Sequence, residues 1–183
     1  SRVTAYNPAN GTTLWTLKTS NGRGTPTVTP TGEFLVTLCG LSGDMVAVRP
    51  GGEGEVGDSR VLWRTPRTGG RDLPSPIIVG KFLLIARLRP GLVTCYDVTS
   101  GTEVWTERME GGFSSSPIVA AGLVYAINES GVTYVIKPGP KAEVVATNSL
   151  GQSDEEIFRA SPTPFDGHLL IRSDRVLYCV SNK

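Results

Sequence analysis

The chain has 183 residues, with 18 Lys and Arg against 17 Asp and Glu and a net charge of +1. That balance offers no general field for nucleic acid and no polybasic tract for an anionic membrane surface. No apolar run approaches the roughly 20 residues of a membrane span, and high Gly (22) and Pro (13) counts point to many short strands joined by tight turns.

The predicted elements repeat along the chain. Residues 1–19 give two strands, near 3–6 and 13–17, joined across Asn7-Pro8-Ala9-Asn10-Gly11 and ending on Trp15. Residues 20–68 give four, near 25–29, 34–39, 45–48 and 60–65, with Trp63 in the role of Trp15. Their last hairpin is swollen by residues 50–58, expected to be a solvated flexible insertion. Its three carboxylates lack the spacing of an EF-hand loop.

Residues 69–110 give strands near 75–79, 82–88, 92–97 and 103–108. This unit has the clearest hairpin, in which Thr99-Ser100-Gly101 reverses the chain between Tyr96 and Trp105. Gly11 and Gly101 supply the positive φ that such a turn requires. Tyr6 to Trp15 and Tyr96 to Trp105 are both nine positions apart. Residues 111–151 give strands near 116–120, 123–128, 132–136 and 143–147. Val144 stands where a Trp is expected, so this unit should be anchored less well. Residues 152–183 give three, near 161–164, 169–172 and 176–180, without an outermost fourth. The count is 17 strands.

Ser/Thr-Pro steps head the repeats at Pro26, Pro76, Pro117 and Pro162, at spacings of 50, 41 and 45 residues. About 40–45 residues is the length of one four-stranded propeller blade. The expected fold is an all-β propeller of four-stranded antiparallel blades, with about four blades in this chain. The three Trp, the four Pro, Gly11 and Gly101 are its structural anchors.

Little chemistry is legible. Three Cys exclude a complete disulfide framework, and no Cys/His cluster suggests a metal. Cys95 and Cys179 share the repeat position of Ala5, where a small buried side chain is expected. His168, the only His, falls in a turn beside Asp166-Gly167. There is no P-loop, no dinucleotide fingerprint and no nucleophile elbow. Asn10-Gly11-Thr12 and Asn128-Glu129-Ser130 fit the glycosylation acceptor pattern, which is common by chance. Function on such folds lies in the loops. The segments leading into each first strand carry Arg23, Arg71, Asp72, Phe113, Phe158 and Arg159, and Arg and aromatic residues are enriched at interface hot spots. Interblade packing is the alternative role for the two Phe.

Ser116-Pro117, Gly122, Gly131-Val132, Tyr96-Asp97, Ser100-Gly101 and Val104-Trp105 together resemble the PQQ-like β-propeller repeat of the quinoprotein-dehydrogenase-like superfamily. The resemblance covers nearly the whole chain and is most similar to non-catalytic members that scaffold outer-membrane protein assembly. It implies a ring of about eight blades, of which this chain is roughly half. It also implies a protein partner, a place outside the cytoplasm, and a missing N-terminal half or second chain to close the ring. The quinoprotein enzymes of the superfamily carry an adjacent Cys-Cys pair, calcium and a catalytic Asp. Cys39, Cys95 and Cys179 are never adjacent, so no catalytic, PQQ-binding or calcium-binding residue is assigned. A PQQ-dependent dehydrogenase with its active site in missing sequence is the rival reading, and an extracytoplasmic sensor or carbohydrate-binding propeller is the third. The chain opens at Ser1-Arg2-Val3, inside a repeat and without Met, so upstream residues are expected.

Overall fold

The computed structural model describes residues 2–20, 25–40, 43–67, 73–150 and 156–181. Their elements are β1 (Arg2–Tyr6), β2 (Thr13–Lys18), β3 (Thr29–Pro30), β4 (Leu35–Leu38), β5 (Met45–Val48), β6 (Gly54–Val56) and β7 (Val61–Thr65). Then follow β8 (Ile77–Val79), β9 (Phe82–Ala86), β10 (Leu92–Asp97), β11 (Glu103–Arg108), β12 (Ile118–Ala120), β13 (Leu123–Ile127), β14 (Val132–Lys137) and β15 (Glu143–Ser149). The last sheet holds β16 (Thr163–Phe165), β17 (His168–Arg172) and β18 (Leu177–Ser181). Three antiparallel meanders of four strands, β3-β4-β5-β7, β8 to β11 and β12 to β15, stand between two incomplete sheets. We call them the first, second and third blades, and β16 to β18 the last.

The strand beyond the expected 17 is β6, inside the insertion. It pairs in parallel with β2, Trp15 opposite Gly54 and Leu17 opposite Val56. The insertion is therefore partly ordered: it extends the outer edge of the sheet before its own blade. Its carboxylates do not converge. Glu55 pairs with Lys18 at 3.0 Å and Asp58 with Arg64 at 3.3 Å. Covering an exposed strand edge removes a template for pairing with other chains.

The first strands of the second, third and last blades begin one residue after the Ser-Pro step, at Ile77, Ile118 and Thr163. Pro has no N–H for a ladder, and the serine is used between blades. Ser75 Oγ accepts from Thr27 N, Ser116 Oγ from Ser75 N and Ser161 Oγ from Ser116 N, each at 2.9 Å. Four consecutive blades are thus stitched along their inner strands.

The outer strands are joined by tryptophan. Trp63 Nε1 donates to Val98 O and Trp105 Nε1 to Gly139 O, both at 3.0 Å. Each acceptor lies in the final hairpin turn of the next blade. A Cβ on Gly101 would sit 2.5 Å from Trp63 Cε3, so the glycine that turns the chain also seats the neighbouring indole. Each final hairpin carries a bulge, and opposite the residue before it stand Trp15, Trp63 and Trp105, paired with Ala5, Ala47 and Cys95. In the third blade that register places Ala146 opposite Val135. Ala146, rather than Val144, is the residue in the tryptophan position: it lies eleven positions after its partner, where Trp105 lies ten after Cys95.

The cores lie between blades. Leu84, Cys95 and Phe113 meet Ala126, Tyr134 and Ile136 between the second and third blades, with Trp105 against them. Val36, Met45 and Ala47 meet Ile85, Tyr96 and Val98 between the first and second. Burial, with the Asp97 charge adding, pushes the Cys95 thiol up to about 12; it packs as an apolar group. Cys179, at the same repeat position, is exposed, on the outer strand of its three-stranded sheet. Between the third and last blades the buried cluster contains Ile127, Phe158 and Ile171.

The hairpins at the head of these blades turn through Ala121-Gly122 and Asp166-Gly167, all at positive φ (50°, 77°, 45° and 73°). Asp tolerates this region and Ala does not. Ala121→Asn is expected to raise stability by up to about 1 kcal/mol, part of the ~1–2 kcal/mol cost of that conformation, seen as a higher urea midpoint at unchanged slope.

Candidate interaction face

Arg23, Arg71 and Asp72 lie outside the described residues. Phe113, Phe158 and Arg159 fall on two equivalent lead-in segments. Each segment is wedged between the turn joining the second and third strands of its own blade and the matching turn of the blade before. Phe113 N donates to Arg87 O at 3.2 Å, and Glu129 N donates back to Gly112 O at 2.8 Å. One blade on, Phe158 N donates to Glu129 O and Asp174 N to Ile157 O, both at 3.0 Å.

These bonds turn both phenyl rings inward. Phe113 is 0% exposed and Phe158 is 3% exposed. Phe113 meets the Tyr134 ring edge-on at 6.1 Å, and Phe158 lies 6.0 Å from Tyr178. A Cβ on Gly131 would come within 2.6 Å of the Phe158 ring. Neither Phe can meet a partner without unfolding the wedge. The physical reason is the backbone ladder, which fixes the segment between two turns and leaves each ring one apolar direction.

What the segments present to solvent is polar. Arg159 Nε bonds Glu129 Oε1 at 3.0 Å, and Ser114 Oγ donates to the same oxygen at 2.7 Å. Burial pushes the Glu129 carboxyl up. The hydrogen bonds from Ser114 and Arg159, with the charges of Arg159 and Arg89, outweigh it and hold the group below its ordinary value. A depressed carboxyl stabilises the fold above its unfolded pKa of about 4.3, and that contribution is lost as pH falls through the folded value. Glu129→Gln is accordingly expected to flatten the loss of stability between pH 6 and pH 3, measured as urea midpoints beside the wild type.

Beside this pair, Tyr178 OH donates to both oxygens of Glu156 at 2.9 and 3.0 Å, and the bond to the carboxylate raises the tyrosine pKa. Asn128 is buried. Its Nδ2 donates to Glu110 O at 2.8 Å, and its Oδ1 accepts from Ser130 N and Val132 N. The amide is consumed in the turn, so the Asn128-Glu129-Ser130 tripeptide is structural, whereas Asn10 lies in an exposed turn. Sequence reasoning passed over Glu129, Ser114, Glu156 and Tyr178. The alignment of Phe113 with Phe158 was the available signal, since it predicts equivalent turns and hence what faces them.

His168 is exposed, its Nδ1 2.6 Å from Asp166 O. Among the described residues no three His, Cys, Asp or Glu side chains group to hold a metal ion, and no helix is long and apolar enough to cross a membrane.

In comparisons with known proteins, the family model for the outer membrane protein assembly factor BamB matches residues 1–139. No curated protein sequence matches. The crystal structure of BamB from Moraxella catarrhalis is similar over 94% of this chain and 49% of that one, at 20% identity and a TM-score of 0.71. Quinohemoprotein alcohol dehydrogenase from Comamonas testosteroni is similar over 56% of this chain and 17% of that one, at 16% identity and a TM-score of 0.47. The chain spans about half the length of the BamB structure it matches. With a family match across most of its length, and blades stitched by Ser-Pro steps and indoles, the chain belongs to the BamB family of PQQ-like β-propellers.

Proposed function

We propose that this chain is a non-catalytic propeller scaffold that binds a protein partner outside the cytoplasm, in outer-membrane protein assembly. The match to the BamB family model over residues 1–139 carries this reading. The lead-in face supports it: Arg159, 66% exposed at its side chain, and Glu129 form a rigid, charged pair on a backbone that two blades hold. A photocrosslinking residue at position 159, in cells that make the protein, should yield adducts with a β-barrel assembly component of the envelope, and one at Lys141 should not. Adducts confined to cytoplasmic proteins, or equal at both positions, would overturn it.

The described residues form three full blades between two incomplete sheets, whose outlying strands β1 and β18 are both third-strand copies. One blade cannot use both. We therefore propose that the ring, of about eight blades, is completed by polypeptide beyond this chain, either upstream sequence or a second chain. A monodisperse, soluble monomer of 19.5 kDa in light scattering would contradict this.

A further inference from the structure

The interface between the third and last blades differs from the others. Where Trp63 and Trp105 fill the outer part of the wedge, Ala146 has only a methyl group. The buried cluster there is confined to the Phe158 end. The rest is an open cleft of about 790 Å³ between the two blades, lined by Ala146 and Val145 on one wall and Phe165, Leu169 and Val180 on the other. Its rim residues Val145, Phe165 and Val180 are 46%, 66% and 41% exposed. Such a volume is typical of built ligand sites, and an apolar surface left open in this way marks a contact.

We propose that this cleft binds an aromatic side chain, an indole foremost, presented by a segment of a partner protein. The protein itself supplies the template. In the two preceding wedges the space beside the equivalent residue takes an indole whose N–H reaches an acceptor in the facing blade. In the third, none of the described residues fills that space, and Asn148 and Ser181, both polar acceptors, stand along the lining. The cleft is continuous with the Phe158–Ile171 interface, so a ring entering it extends an apolar contact already formed. The proposal rests on the scaffold reading only in that the ligand belongs to a protein. The cleft is lined by the Ala121 and Asp166-Gly167 turns, so its failure and that of the Arg159 face are separately visible.

The test uses a capped peptide copying residues 103–108, Glu-Val-Trp-Thr-Glu-Arg, and its Trp-to-Ala analogue, titrated calorimetrically into the whole chain. The Trp peptide should bind saturably and the Ala analogue at least tenfold more weakly. Ala146→Trp, which fills the cleft in cis, should weaken peptide binding at least tenfold and raise Tm. Phe165→Glu, at an exposed rim position, gives the same reading should Ala146→Trp fail to fold. Absence of saturable binding, equal affinity for the two peptides, or unchanged affinity in a folded variant would overturn the proposal.

Discussion

Phe113→Ala is expected to lower stability by about 3–5 kcal/mol, the range for emptying a buried aromatic site, and Tm by roughly 10 °C in a chain of this length. The ring is 0% exposed and lies in the cluster that joins the second and third blades. Its surroundings come from two sheets whose strands are fixed by their own ladders, so they cannot collapse into the void. Phe158→Ala should cost less, because the cluster around it is small and opens onto a cleft. Arg159→Ala should change stability by no more than about 1 kcal/mol, as an exposed ion pair does. Thermal melts of the three variants check the order. A surface role for Phe113 would place it beside Arg159.

The second large effect is Gly101→Ala. The new methyl must adopt a φ of +70° and sits 2.5 Å from both Trp63 Cε3 and Thr65 Oγ1. The backbone costs about 1–2 kcal/mol, and displacing a docked indole adds about 1–3 kcal/mol. Gly11→Ala is the control. Its turn has the same bond from the glycine N–H to the residue four before it, at 2.8 Å in both cases, and nearly the same φ of +72°, but nothing lies within 4 Å of the added Cβ. It should show the backbone cost alone, so the difference in urea midpoints measures the tryptophan seat. Equal losses would mean that the indole contributes nothing to joining the blades.

The hairpins were legible because their causes are local. Turn glycines, alternating β-branched residues and a recurrent Trp act over a dozen residues, and β5, β10 and β11 begin and end where the pattern places them. First strands were drawn too early at Ser75, Ser116 and Ser161, because the step that marks them serves the neighbouring blade. The strand β6 was missed since Gly54-Glu55-Val56 has weak strand preference; its partner β2 lies more than thirty residues away, outside the blade whose hairpin carries β6. Val144 is the tryptophan substitute the sequence suggests, but the ladder pairs Val135 with Ala146, eleven positions on against ten from Cys95 to Trp105, so the equivalence falls on Ala146.

The candidate face divided in the same way. The equivalence of Phe113 and Phe158 was visible in their spacing from the following Pro, but spacing carries no direction. Only the backbone bonds to Arg87 and Glu129 turn those rings inward and leave Arg159 outside. The sequence by itself determined the repeat, the all-β class and the hairpin turns, since each depends on residues within one blade; the partners that seat each indole and serine lie in the neighbouring blade. The tertiary structure alone decided which side chains are interior, where the insertion docks and which wedge stays open. In a propeller the core forms between blades, and contacts between separate sheets have no period along the chain.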